Sequence, residues 1–280
     1  MPRALSKHRA RVWRLQAGAL RERTDVLAGE EPLEVRALHR GARVWQAVTM
    51  RTPGHDFELA AGLLFAEGVV RSSAAIQQIT YCADSEQQYN VVNVKLRVPP
   101  DTKQAEAFRV VSSACGVCGK ASLDALETGG LQPLESSTVL EPDVLYGLPN
   151  KLRAAQGLFN ATGGLHAAAA FTAHGELLCT REDVGRHNAV DKLIGWSLLN
   201  AVSLEDAVVL VSGRVAFEIA HKCVNARVPV LCAIGAPSSL AVDLAQRFNL
   251  TLVGFLRADS ANVYSSPHRV AIDSSSGLHS

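Results

Sequence analysis

Early in the chain, apolar and polar residues alternate in two runs, "EPLEVRAL" and "ARVWQAVTM". This is the period of strands that turn one face to a core and the other to water. "DFELAAGLLFAEGVV" then places Leu59, Leu63 and Leu64 at helical spacing and ends near a glycine, which predicts a helix. "YNVVNVKLRV" alternates again until Pro99 and Pro100 stop it. From about residue 140 the order becomes strand, loop, helix, repeated: "HAAAAFTA" and "ELLCT" before "AVDKLIGWSLL", "DAVVLVSGR" before "AFEIAHKCVNA", "PVLCAIGA" before "SSLAVDLAQRFN", then "TLVGFL". Short buried runs separated by amphipathic helices predict an α/β fold with a mainly parallel sheet.

These patterns divide the chain into a basic N-terminal arm over 1–30, a strand-rich subdomain over 31–140, an α/β subdomain over 141–272 and a disordered tail over 273–280. The Gly-, Pro- and Ser-rich stretch 129–149 reads as the linker.

Composition removes several function classes. A formal charge of +1 carries no global signal for nucleic acid, so an anionic ligand has to be met locally. No apolar run is long enough to span a bilayer, and the Arg-rich start lacks the apolar core of a secretory signal. It reads as a solvated arm rather than a transit peptide, which places the protein in the cytoplasm. In a 280-residue chain of this kind, six cysteines do not read as a disulfide framework. Cys179, Cys223 and Cys232 sit in apolar runs and read as buried small hydrophobes.

The pair Cys115 and Cys118 in "SSACGVCGK" asks for chemistry. Three readings compete: half a zinc site, a disulfide-exchange pair, or a thiolate that carries sulfur as a persulfide. No second Cys-x-x-Cys completes a four-ligand site. His55 and Glu58 in "HDFE" are spaced one residue too far for a zinc deaminase, so no structural metal is expected. Glycines after both cysteines favour a loop with reach over a helix start.

Other segments suggest anion sites. "VVLVSGRVAFEIA" runs a strand through Ser212, Gly213 and Arg214 into a helix, and "GAPSSLAVDLA" repeats the design with Ser238 or Ser239 as N-cap. "NATGGLHAAA" offers Gly163, Gly164 and His166, and "REDVGRHNAVDKLIG" offers Asp183, Arg186, His187, Asn188 and Lys192. In "RTPGHDFELA" Thr52 reads as a helix cap, with Asp56 and Glu58 in the first turn. Repeated turns at strand ends are where α/β sheets bind ligands, and a large phosphorylated ligand accounts for them together.

"RTPGHDFELAAGLLFAEGVV", "SSACGVCGK", "ATGGLHAAA", "REDVGRHNAVDKLIG", "SGRVAFEIAHK", "APSSLAVDLAQRFNLTLVGFLR" and "NVYSSPHR", in that order from about 45 to 270, resemble the FdhD family of sulfur carrier proteins required for formate dehydrogenase activity. The resemblance implies a cytidine-deaminase-like α/β/α sandwich without zinc chemistry, and a homodimer. It implies a sulfurtransferase with a cysteine persulfide intermediate, loaded by an IscS-type cysteine desulfurase. Its cargo would be the molybdenum cofactor as bis(molybdopterin guanine dinucleotide), later inserted into the formate dehydrogenase apoenzyme, with no nucleic acid or membrane partner. By position, Cys115 corresponds to the persulfide-bearing residue and Cys118 to its partner. Phe255, Leu256, Arg257, Ala258, Asp259 and Ser260 correspond to the cofactor-contacting segment. Ala258 stands where relatives often have glycine, and Ala114 where they often have serine. A cofactor-binding chaperone without sulfur transfer and a disulfide oxidoreductase are the alternatives.

Overall fold

The computed structural model describes residues 5–82, 88–100 and 130–271. Cys115, Cys118 and the tail from 273 lie outside the described residues. The fold is mixed α/β, arranged as two compact units that interleave along the chain. One takes residues up to 100 with Gln156–Ala167 and Arg181–Val202, and the other takes residues 130–155, Ala168–Thr180 and 203–271.

In the first unit, β1 (Lys7–Gln16) and β2 (Ala19–Ala28) form an antiparallel hairpin where the sequence suggested an arm. Its two-residue turn places Ala17 at φ 50° and Gly18 at φ 79°, the left-handed pair that suits the twist of a tight hairpin. Four further strands form a sheet in the order β4-β3-β6-β5, from β3 (Glu31–His39), β4 (Ala42–Arg51), β5 (Ile76–Tyr81) and β6 (Val91–Leu96). Alternation sets the faces: Leu33, Val35 and Ala37 of β3 and Val92, Val94 and Leu96 of β6 point to one core.

Helix α1 (Asp56–Ala66) supplies Leu59, Ala60, Ala61 and Leu64 to that core. Further along come α2 (Pro142–Ala155), in the second unit, and the short α3 (Gly157–Thr162), in the first; α4 (Arg186–Leu199) packs against α1. The two helices cross at backbone contact. A Cβ on Gly62 would lie 1.9 Å from the Asp191 carbonyl oxygen, and one on Gly195 would lie 1.8 Å from that of Glu58. This reciprocal pair of glycines places residues 186–199 in the first unit rather than with the α/β repeat that surrounds them in sequence.

The second unit holds a six-stranded sheet in the order β12-β11-β10-β9-β7-β8. Its strands are β7 (His166–Phe171), β8 (Leu177–Asp183), β9 (Val208–Val211), β10 (Val230–Ala233), β11 (Thr251–Gly254) and β12 (Asn262–Ser265), and the division between units cuts β7 and β8. Strands β9, β10 and β11 pair in parallel, whereas β7 is antiparallel to β9 and β12 to β11. The sheet is therefore mixed rather than mainly parallel, because the link from β11 to β12 is too short for the crossover that a parallel neighbour needs. Helices α5 (Phe217–Asn225) and α6 (Ser239–Arg247) are the crossovers between the parallel strands.

The stretch read as a linker is ordered structure. Leu145, Leu148 and Leu152 give α2 a buried stripe despite Gly147 and Pro149 within it. Ahead of it, the Leu134 amide donates to Phe248, and the buried Arg269 guanidinium donates to the carbonyls of Leu134, Ser136 and Asn249. No helix among the described residues is long and apolar enough to cross a membrane.

The glycine crossing makes a paired prediction. Gly62→Ala or Gly195→Ala forces α1 and α4 apart and costs about 1–3 kcal/mol or more in denaturant unfolding. Gly147→Ala, with nothing within 4 Å of the added carbon, gains about 0.5–1 kcal/mol.

Candidate functional site

The parallel strands of the second unit end in three loops that are bonded edge to edge. After β9 come Ser212, Gly213 and Arg214; after β10, Ile234 to Ser238; after β11, Phe255 to Ser260. The Gly235 amide donates to the Gly213 carbonyl (3.1 Å), and the Phe255 amide to the Gly235 carbonyl (3.1 Å). Val215 and Ser238 tie the first two loops further, through donation to Ala236 and back to Val215. Gly235 is required there, since a Cβ would meet the Gly213 oxygen at 2.8 Å. The result is a continuous shelf at the carboxyl ends of β9, β10 and β11, where open α/β sheets place ligands.

Side chains on the shelf divide into anchors and exposed groups. Leu256 is fully buried and pins the third loop. Phe255 stands at φ 52°, a left-handed conformation that is costly for a bulky residue, with 43% of its surface exposed. Arg257 is exposed but not loose: its Nη1 donates to the carbonyls of Ile234 (2.8 Å) and Leu256 (2.9 Å). That leaves the remaining guanidinium donors for a ligand. Arg214 is exposed on the neighbouring loop, and Ser212 and Gly213 are half-buried beside it. Ala258, Asp259 and Ser260 complete the exposed turn, which the Arg257 amide closes by donating to the Ser260 carbonyl (2.8 Å). A planar group could stack on Phe255 while phosphates meet the arginines. Of the two helices that start here, α6 has its N-cap filled by the Ser238 side chain, and α5 has no side-chain cap.

The remaining described residues of the predicted site belong to the first unit. Gly163 ends α3 at φ 71°, and Gly164 is exposed. His166, at the start of β7, is half-buried. Burial holds its pKa below the ordinary value, the Arg186 charge lowers it further, and Asp183 opposes both. His187 sits half-buried in the first turn of α4, next to Arg186.

Three residues of the suggested anion cluster are internal instead. The Lys192 ammonium meets the Asp183 carboxylate at 2.7 Å with both side chains buried, and also donates to the Thr52 carbonyl (2.8 Å). Asp183 accepts further bonds from the Thr52 amide, the Gly185 amide and the Asn188 side chain. Asn188 in turn donates to the Met50 carbonyl. Thr52 does not cap α1. Its hydroxyl accepts from the Val184 amide, and the N-cap position is His55, at φ 56° with no side-chain cap bond. Charged side chains in a sequence read as exposed, but here they fasten "RTPGHD" to "REDVGRHN" across more than 130 residues of chain.

Two pairings had no sequence signal. Arg51, fully buried, clamps Asp56 through two bonds of 3.0 and 3.1 Å, so the first-turn acid serves the fold. Arg181 forms a two-pronged pair with Glu58, its second prong at 2.7 Å, and the His55 ring lies 3.4 Å from the same carboxylate. Burial alone would raise the Glu58 pKa, but the Arg181 hydrogen bond, then His55, bring it down to about 2.

Three of the four described thiols are enclosed. Cys223 and Cys232 are buried, and burial pushes the Cys223 thiol up to about 12 and the Cys232 thiol higher still. Cys179 is buried too, and Cys82 is half-buried with its sulfur 4.0 Å from Arg36.

Comparison with known proteins adds to this geometry. The model of the FdhD/NarQ family matches residues 28–271. A protein of Streptomyces coelicolor named sulfur carrier protein FdhD is 50% identical, covering 96% of this chain and 97% of its own. One of the same name from Sulfurisphaera tokodaii is 43% identical over 94% and 98%. A crystal structure from Desulfotalea psychrophila, of a protein named for an accessory role with formate dehydrogenase, superposes with a TM-score of 0.74 at 23% identity. It covers 95% of this chain and 99% of that one, and it shows the shared fold.

The Glu58 pair predicts an acid-limb effect. Because folding depresses the carboxyl, its stabilisation is full above the ordinary value of 4.5 and is lost as pH falls from there toward about 2. Arg181→Met should flatten that part of a stability-versus-pH profile relative to wild type.

Proposed function

Since this chain belongs to the FdhD/NarQ family, we propose that it carries sulfur as a cysteine persulfide. The donor is an IscS-type cysteine desulfurase, and the acceptor is the bis(molybdopterin guanine dinucleotide) cofactor before its insertion into formate dehydrogenase. The observation that carries the cofactor half of this reading is the shelf. It joins a strained, exposed phenyl ring to two arginines at the ends of parallel strands, which suits a guanine base and its diphosphate. The name shared by relatives of near-equal length supports the sulfur half.

In this scheme the thiolate of Cys115 attacks the outer sulfur of the donor persulfide. A new sulfur–sulfur bond forms, the old one breaks, and the donor cysteine leaves as thiolate, with no net oxidation. Delivery differs, because the outer sulfur is zero-valent and a sulfido ligand needs two more electrons. Cys118 supplies them by attacking the inner sulfur of the Cys115 persulfide. This releases the outer atom at the sulfide level and leaves a Cys115–Cys118 disulfide for a cellular dithiol to reduce. Gly116 and Gly119 suit the reach that two successive partners require.

Intact-protein mass spectrometry after incubation with a cysteine desulfurase and cysteine tests the first step. Wild type and Cys118→Ala gain one sulfur, about 32 Da on a reactive thiolate, and Cys115→Ala gains none. No gain in wild type would leave a cofactor-binding chaperone; mixed disulfides with many proteins would indicate an oxidoreductase. The shelf is tested with guanosine diphosphate as probe, in calorimetry. Phe255→Ala weakens binding by about tenfold, the scale of one base stacked on an aromatic ring. Arg257→Ala weakens it comparably, and unchanged affinity in both would remove the shelf from the cargo site.

A further inference from the structure

The turn that ends the shelf carries a carboxylate, and a surface for phosphates is a poor place for one. In this part of the second unit the Arg257 amide donates to the Ser260 carbonyl at 2.8 Å, which puts Ala258 and Asp259 at the tip of a tight reversal. Asp259 is exposed there. Among the described residues its partner is the Ser260 hydroxyl, which donates to Oδ1 at 3.1 Å, and neither Arg257 nor Arg214 pairs with it. Aspartate is common in turns because its side chain bonds a nearby backbone amide. Asp259 does not act in that way: backbone groups alone close the turn, and the carboxylate accepts from a side chain.

A carboxylate close to arginines that hold phosphates repels those phosphates, so it weakens the site unless another part of the same ligand meets it. That part has to present N–H donors. Phe255 and Asp259 stand two residues on either side of Arg257, so an aromatic ring, a guanidinium and a carboxylate come from one short stretch. A guanine nucleotide answers all three. The face of the base stacks on the phenyl ring, the diphosphate meets the guanidinium, and N1–H with the 2-amino group forms a pair of adjacent donors that a carboxylate accepts side by side. The capacity is there, since Oδ1 has accepted one bond and Oδ2 none. Adenine has an acceptor at N1, which the same carboxylate repels.

We propose that Asp259 is the specificity residue of the shelf: it selects guanine over adenine by accepting from N1–H and the 2-amino group of the base stacked on Phe255. The assignment rests on the reading of the shelf as the site of a guanine nucleotide cargo. Stacking and phosphate contacts accept any base, so without the carboxylate ordinary adenine nucleotides would fill the shelf. The Ser260 hydroxyl, bonded to Oδ1, sets the rotation of the carboxylate.

The test is calorimetry on the full chain, with the diphosphates of guanosine, inosine, xanthosine and adenosine as probes and EDTA present. Wild type binds guanosine diphosphate about tenfold tighter than inosine diphosphate, which lacks the 2-amino group, and adenosine diphosphate more weakly still. Asp259→Asn lowers the affinity for guanosine diphosphate about tenfold to a hundredfold, the range for bonds to a charged acceptor. It does not weaken adenosine diphosphate, and it binds xanthosine diphosphate more tightly than wild type does, because the amide offers a donor to the 2-oxo group. The variant melts like wild type. Equal affinity of wild type for the guanosine and adenosine diphosphates overturns the assignment, and so does a loss in Asp259→Asn that falls alike on every probe. A loss seen only after magnesium is added would make the carboxylate a bridge to a metal on the phosphates and overturns it as well. Guanosine displaces guanosine diphosphate better than neopterin, which carries the same donor edge on a pterin; the reverse order gives Asp259 to the other end of the cargo and removes it from the guanine. In each of these cases the shelf stands as a nucleotide site if Phe255→Ala weakens guanosine diphosphate. If wild type binds none of the diphosphates, the shelf reading fails and the assignment of Asp259 with it.

Discussion

Most of the first unit depends on how closely two helices approach. Where α1 crosses α4, backbone meets backbone through Gly62 and Gly195, with no side chain between them. That approach brings the segment before α1 against the turn before α4, close enough for hydrogen bonds between amides and buried side chains. Thr52, Asp183, Asn188 and Lys192 then complete one another's bonding. A buried ion pair adds little net stability but is expensive to leave half-made, so it tolerates few alternative packings. The glycines set the distance, and the polar network makes that distance the one that satisfies every group.

The shelf of the second unit follows a different logic. Its loops are short, and their backbone groups are spent on one another, so the exposed groups stand on a rigid base. Arg257 illustrates this: one nitrogen is tied to two carbonyls, which orients the rest of the fork at little further entropic cost on binding. Phe255 is held in a conformation it would not adopt alone, by the buried Leu256 on one side and the Gly235 carbonyl on the other. Strain kept at an exposed aromatic residue is a common mark of a binding site.

Much of this architecture was legible in the order of residues. Alternation located β3, β4 and β6, helical spacing located α1, and the strand-loop-helix repeat located two of the three turns that form the shelf; the third, Phe255 to Ser260, came from the family resemblance. Ser238 was readable as an N-cap and serves as one. What escaped has physical causes. The hairpin has water on both faces of its tip, so no hydrophobic period marks it. Gly147 and Pro149 hid the leucine stripe of α2. Lys192 and Asp183 looked like surface charge because a sequence shows the charge and not the partner. The Glu58 and Arg181 pairing spans 123 residues and has no local pattern at all. The anchors of the shelf were invisible for the same reason, since a carbonyl that accepts from an arginine can belong to any residue type.

The buried thiols acquire a meaning once the chain is regarded as a vessel for sulfur. Sulfane sulfur passes readily between accessible thiolates, so each reactive cysteine on a carrier is a place where cargo can stray. Cys223 and Cys232 lie inside the second unit, where burial keeps them protonated far above neutral pH, and Cys179 is enclosed as well. Packing thus does the work of insulation. Under the proposed carrier chemistry, the same close contacts that stabilise the sheet and helices keep these three thiols away from misplaced sulfur, and fidelity of delivery becomes a property of the core as much as of the site.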